Sequence, residues 1–120
     1  MDEEAAGVAE NQKLGPGESV LTKSFLRELG LLGRHIALLK AVRDNGPIGI
    51  IRLSASLAIP PHKVRYSLRI LEKEGYIKPS TQGAMTTEKV DEFFIHVKRI
   101  LQDAEGSITE MKKHLDELGA

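Results

Sequence analysis

The chain is 120 residues long, enough for one ordinary domain plus extensions and a small core. Apolar residues make up 41% and charged residues 28%, a globular balance; aromatics are only 4% with no Trp, so the core must be built from Leu, Ile, Val and Ala. With no Cys there is no disulfide, thiolate metal site or cysteine nucleophile. The acidic, polar start has no signal-peptide pattern and no stretch long and apolar enough to span a bilayer, so a soluble cytoplasmic protein with no membrane partner is expected.

The formal net charge of zero hides a segregation along the chain. Residues 1–19 hold one Lys and five acids, whereas residues 20–59 hold six Lys/Arg and two acids. Residues 60–78 add five cations against two acids, and residues 79–120 return to five against eight. A basic middle lies between acidic ends, and local charge, not the overall pI, decides which polyanions the chain can meet.

Residues 1–17 have no periodicity and end in Gly-Pro-Gly, so a flexible acidic tail is expected. From Glu18 to Leu32, the residues Leu21, Phe25 and Leu29 recur at helical spacing with Leu26 and Leu32 beside them, predicting an amphipathic helix with Gly30 near its end. Gly33 then opens a second helix in which Ile36, Leu39 and Val42 or Arg43 share a face. Asn45-Gly46-Pro47 stops it with a pair tolerant of left-handed backbone and a residue that cannot continue. Gly49 to Ala58 sets Ile50, Leu53, Ser54 and Leu57 on one side of a third short helix, and Ile59-Pro60 makes a tight turn.

The next helix, residues 61–74, starts at Pro61, where a missing N–H costs nothing, and ends before Gly75. Val64, Leu68 and Leu71 form its inward stripe; His62, Tyr66, Arg69 and Lys73 lie opposite, flanked by Lys63 and Arg65. After Gly75 two short extended runs surround Thr81-Gln82-Gly83, a small hairpin over residues 76–87 in which Gly83 supplies positive φ and Pro79 confines its strand to an edge.

Thr86 or Thr87 suits the N-cap of the last helix, with Glu88, Asp91 and Glu92 favoured by its dipole. Over residues 88–118 the apolar set Val90, Phe94, Val97, Leu101, Ala104, Ile108, Met111, Leu115 and Leu118 alternates spacings of four and three, an unbroken heptad seam. Phe93 and Ile100 widen the stripe near its start, so the first half is expected to pack on the body and the second half to pair. A small domain cannot cover a helix of this length, and the simplest partner is a second copy.

The order helix, helix, turn, helix, two-stranded flap resembles the winged helix-turn-helix domains of prokaryotic transcriptional regulators of the MarR-, PadR- and ArsR-like groups. The residues that carry the resemblance are Leu57-Ala58-Ile59, the Val64/Leu68/Leu71 stripe, Glu74-Gly75-Tyr76-Ile77 and Thr87-Glu88-Lys89. It implies a mainly α fold with a small β-hairpin wing, a winged-helix DNA-binding domain over residues 18–87, and a dimerisation helix over 88–118. It also implies an archaeal member with no appended ligand domain. Insertion of the helix from Pro61 into the major groove of double-stranded DNA follows from the resemblance, with the wing along the backbone or in the minor groove.

From the side chains themselves, Arg65 and Arg69 reach guanine edges, Lys63, Lys73 and Lys78 suit phosphates, and Tyr66 suits a phosphate or a thymine methyl. His62, Thr81 and Gln82 complete the expected contact set, although the wing tip itself has no Arg or Lys. Glu92/His96 and Glu110/His114 are spaced to share a metal, yet such pairs are ordinarily surface interactions, and no metal or cofactor is expected. No convergent carboxylates, phosphate loop or Ser/His/Asp set points to catalysis. The alternative to a DNA-binding homodimer is a winged-helix adaptor that turns its basic face to an acidic protein.

Overall fold

The computed structural model describes residues 15–119; residues 1–14, most of the expected acidic tail, lie outside the described residues. Among the described residues, four helices and one hairpin follow in the order α1 (Val20–Asn45), α2 (Ile50–Leu57), α3 (Pro61–Lys73), β1 (Ile77–Ser80), β2 (Gly83–Thr86) and α4 (Val90–Glu117). The fold is mainly helical, a winged helix-turn-helix body followed by a long last helix.

The two helices expected before residue 45 are one. α1 opens on a capping box in which Ser19 Oγ accepts from the Thr22 N–H at 3.1 Å, and it runs unbroken for 26 residues. Gly30 and Gly33 sit inside it with open space around both. Two glycines cost a helix interior about 1 kcal/mol each, but they carry no steric block of the kind proline does. The helix stops where expected, at Asn45, though not by a left-handed glycine. Gly46 is extended (φ −69°, ψ 154°), and its value is proximity: a Cβ there would meet the Val42 carbonyl oxygen at 2.5 Å.

The core gathers at the C-terminal half of α1. Leu38, Leu39 and Val42 pack with Leu53 of α2, Val64 and Leu71 of α3, Ile48, Ile77 and Val90. Each such side chain removed from water contributes about 1.5–3 kcal/mol. α3 ends in a full Schellman motif: Tyr76 N–H donates to the Leu71 carbonyl, Gly75 N–H to that of Glu72, and Gly75 takes φ +84°.

β1 and β2 pair antiparallel, with Ile77 opposite Thr86 and Ser80 opposite Gly83. A third piece of backbone joins them that periodicity did not disclose. Ile48 bridges Ala84 by two hydrogen bonds, of 3.1 and 2.8 Å, so β2 is paired on both sides and β1 with Pro79 is the edge. The turn is fixed by Ser80 Oγ, which donates to the Gly83 carbonyl at 2.7 Å and accepts from Gln82 N–H at 3.2 Å.

α4 is not capped by a threonine. Its N-cap is Lys89, with no side-chain cap; the Thr87 hydroxyl instead donates to the Gly75 carbonyl at 2.6 Å, tying the wing's exit to the end of α3. Arg43 pins the start of α4 to the end of α1, 2.9 Å from Asp91 and with its guanidinium 5.7 Å from the Phe94 ring centroid. Tyr76 and Phe93 stack at 4.3 Å on the same side.

Candidate nucleic-acid interface

The sequence stripe of α3 puts Val64 and Leu71 in the core and leaves Leu68 partly buried, as expected. A fourth inward residue is Ser67, which is completely buried. A hydroxyl taken out of water needs partners, and α1 supplies them. Arg34 Nε donates to Ser67 Oγ at 2.9 Å, and His35 Nδ1 lies 2.9 Å from the same oxygen. Sequence reasoning missed Arg34 and His35 as supports of α3. The signal was there in Ser67 itself, a polar residue three positions after Val64 and four before Leu71.

This attachment divides the face that was expected to point outward. Tyr66 is half-buried on the α1 flank, its ring centroid 5.8 Å from the Arg34 guanidinium and 6.3 Å from the His35 ring. Lys63 is also half-buried, whereas His62, Arg65, Arg69 and Lys73 are exposed. Arg65, Arg69 and Lys73 line a groove of about 710 Å³ between α3 and the wing. Its apolar floor includes Ile48, Leu68, Ile77 and Pro79, and Ser80 stands on the wing side. Glu72 shares the groove, so its potential is mixed rather than uniformly positive.

On the wing, Lys78, Thr81 and Gln82 are all exposed. Gly83 (φ +125°) is needed for two reasons: the turn, and the approach of Ile48, whose carbonyl carbon lies 2.4 Å from where a Cβ would stand. The bridge therefore couples the wing's position to the segment just before α2, whose Arg52 is exposed and was absent from the expected contact set. Away from this face, Lys40 Nζ lies 2.8 Å from Asp44 and lowers that carboxyl by hydrogen bond and charge.

The seam of α4 is covered only in its first half. Val90 and Val97 are buried, and Phe94, Leu101 and Ala104 are half-buried. Ile108, Met111, Leu115 and Leu118 are exposed, the last at 80%. The first turns of α1 are similarly bare, with Leu21 at 82% and Phe25, Leu26 and Leu29 all exposed. His96 and His114 are exposed, His114 beside Glu117 at 3.9 Å, and among the described residues no group of three potential metal ligands converges. No helix of the described residues is long and apolar enough to cross a membrane.

Residues 31–78 match the model of a family described as winged helix-turn-helix DNA-binding. The match runs from the middle of α1 through α2 and α3 to the start of β1, and so contains the whole helix-turn-helix and its Arg34–Ser67 support. The search of curated proteins found no match to the chain.

Proposed function

We propose that this chain is a non-catalytic, sequence-specific regulator of transcription that binds double-stranded DNA as a homodimer in the cytoplasm. α3 enters the major groove, with Arg65 and Arg69 at base edges, His62 and Tyr66 at its margins, and Lys63 and Lys73 on phosphates. The wing lies along the backbone through Lys78, Thr81 and Gln82. The observation that carries this reading is the coincidence of the family match with an exposed cationic edge on α3 facing the wing. The MarR-, PadR- or ArsR-like grouping and an archaeal source rest on the motif resemblance.

Dimerisation is supported by the bare second half of the α4 seam, Ile108 to Leu118, added to the apolar surface of the first turns of α1. Exposed apolar surface on this scale on a small chain calls for a partner. Titration of random-sequence duplex DNA against salt tests the first claim. A binder with several phosphate contacts gives a steep log–log slope. Lack of binding at low salt, with retention of an acidic protein, would favour the adaptor.

A further inference from the structure

We infer that the second copy joins through α4 in antiparallel orientation, in one register centred between Ile108 and Met111; this rests on the homodimer reading above. The part of the helix left to pair is defined by burial. Val97 is 8% exposed against the chain's own body, whereas Ile108, Met111, Leu115 and Leu118 are all exposed.

From Leu101 to Leu118 the seam has spacings of three, four, three, four and three, which read the same in both directions. Turned end for end against itself, it stacks Leu101 on the partner's Leu118, Ala104 on the partner's Leu115, and Ile108 on the partner's Met111. Every layer then joins an a position to a d position, as antiparallel pairing requires, and no knob lacks a hole.

The charges beside the seam choose among the orientations. Glu105 and Lys112 occupy the two e positions flanking this stretch, both are exposed, and neither takes part in an ion pair within the described chain. In antiparallel pairs e faces e, so this register sets Glu105 against the partner's Lys112, twice by symmetry. A slip of one heptad in either direction sets Glu105 against Glu105 or Lys112 against Lys112. Parallel pairing opposes e to g, and the g residues there are Ile100 and Ser107, which hold no charge. Among the registers that pair the uncovered stretch without using the buried Val90 and Val97, this one alone sets opposite charges together, and its one-heptad neighbours are repelled.

The absence of native cysteine makes the test direct. Full-length Ala104→Cys and Leu115→Cys variants are oxidised separately and as an equimolar mixture. Disulfide closure needs Cα atoms within about 7 Å, and identical positions in the antiparallel register stand roughly 16 Å apart along the axis. The expected result is a cross-link in the mixture only, of the mass of one chain of each variant. Self-linking of each variant alone overturns the antiparallel inference while leaving the dimer intact. A monomer by sedimentation with no cross-link anywhere overturns the dimer reading and this inference with it. Independently, Glu105→Lys should loosen the dimer about tenfold at low salt, and adding Lys112→Glu should restore it. A dimer indifferent to both exchanges overturns the register.

Discussion

Arg34 Nε donates to Ser67 Oγ at 2.9 Å, and this contact joins the middle of α1 to the buried side of α3. It determines which face of the helix is left to meet a ligand, because Ser67 is completely buried and Tyr66 is drawn against α1 beside it. Replacing Ser67 by Ala removes an acceptor from Arg34 and a partner from His35 inside a packed contact. Loss of about 1–3 kcal/mol of stability is expected, measured by chemical denaturation with unchanged slope. A wild-type midpoint would mean that the hydroxyl adds nothing to how α3 is held.

The cations of α3 divide by what they can reach. Arg65→Ala and Arg69→Ala should each cost roughly 1–3 kcal/mol on a specific duplex and far less on random DNA, if they read bases. Lys78→Ala should weaken both duplexes alike and reduce the salt slope by about one. Fluorescence anisotropy at several salt concentrations separates the cases. Unchanged affinity in both arginine variants would move the reading surface to the Tyr66 flank or to Arg52.

Much of this arrangement was legible beforehand, and the misses share a cause. Period and punctuation gave the Val64/Leu68/Leu71 stripe, the Gly75 stop, the hairpin and the long last helix, because each depends on neighbours within one turn or one strand. The continuity of α1 was hidden because glycine is a weak breaker: Gly30 and Gly33 lower helix propensity without excluding it. The Ile48–Ala84 bridge and the Arg34–Ser67 bond join residues more than thirty positions apart, and no local pattern announces such pairs. Tyr66 belonged to the outward face by angle alone; what lay beside it on α1 was a tertiary fact.

Gly83 illustrates a residue whose local reading was incomplete. Its positive φ suits the hairpin, but the tighter demand comes from Ile48, whose carbonyl carbon and oxygen lie 2.4 and 2.6 Å from an added Cβ. Gly83→Ala must both strain the backbone and break the bridge, so a loss of about 2 kcal/mol or more is expected. Amide exchange at Ala84 and Ile48 should speed up, because each donates to the other in the native bridge. Protection at wild-type levels would show that the wing absorbs the methyl group elsewhere.

The exposed seam predicts how the proposed dimer would fail. Ile108 and Leu115 are both exposed in the single chain, so Ile108→Glu with Leu115→Glu leaves the folded body undisturbed. Carboxylates in facing layers cannot be desolvated at reasonable cost. Sedimentation should report a monomer with an unchanged melting profile for the core, and binding to a two-half-site duplex should fall to that of one half-site. An unchanged mass would assign the α4 seam to some other role.

The proposed antiparallel pairing would also set the distance between the two readers. With the centre of the pair between Ile108 and Met111, the Val90 ends of the two helices stand roughly 60 Å apart at 1.5 Å per residue. Each body is attached at that end through Arg43–Asp91 and the Phe93–Tyr76 contact. Two turns of B-DNA, about 68 Å, come nearer to this separation than one turn, about 34 Å. Selection from a random pool should therefore return inverted half-sites with centres about 20–21 base pairs apart, and footprints should show two protected patches on one side of the duplex. Half-sites only about ten base pairs apart would be incompatible with this pairing and would require the two bodies to lie side by side.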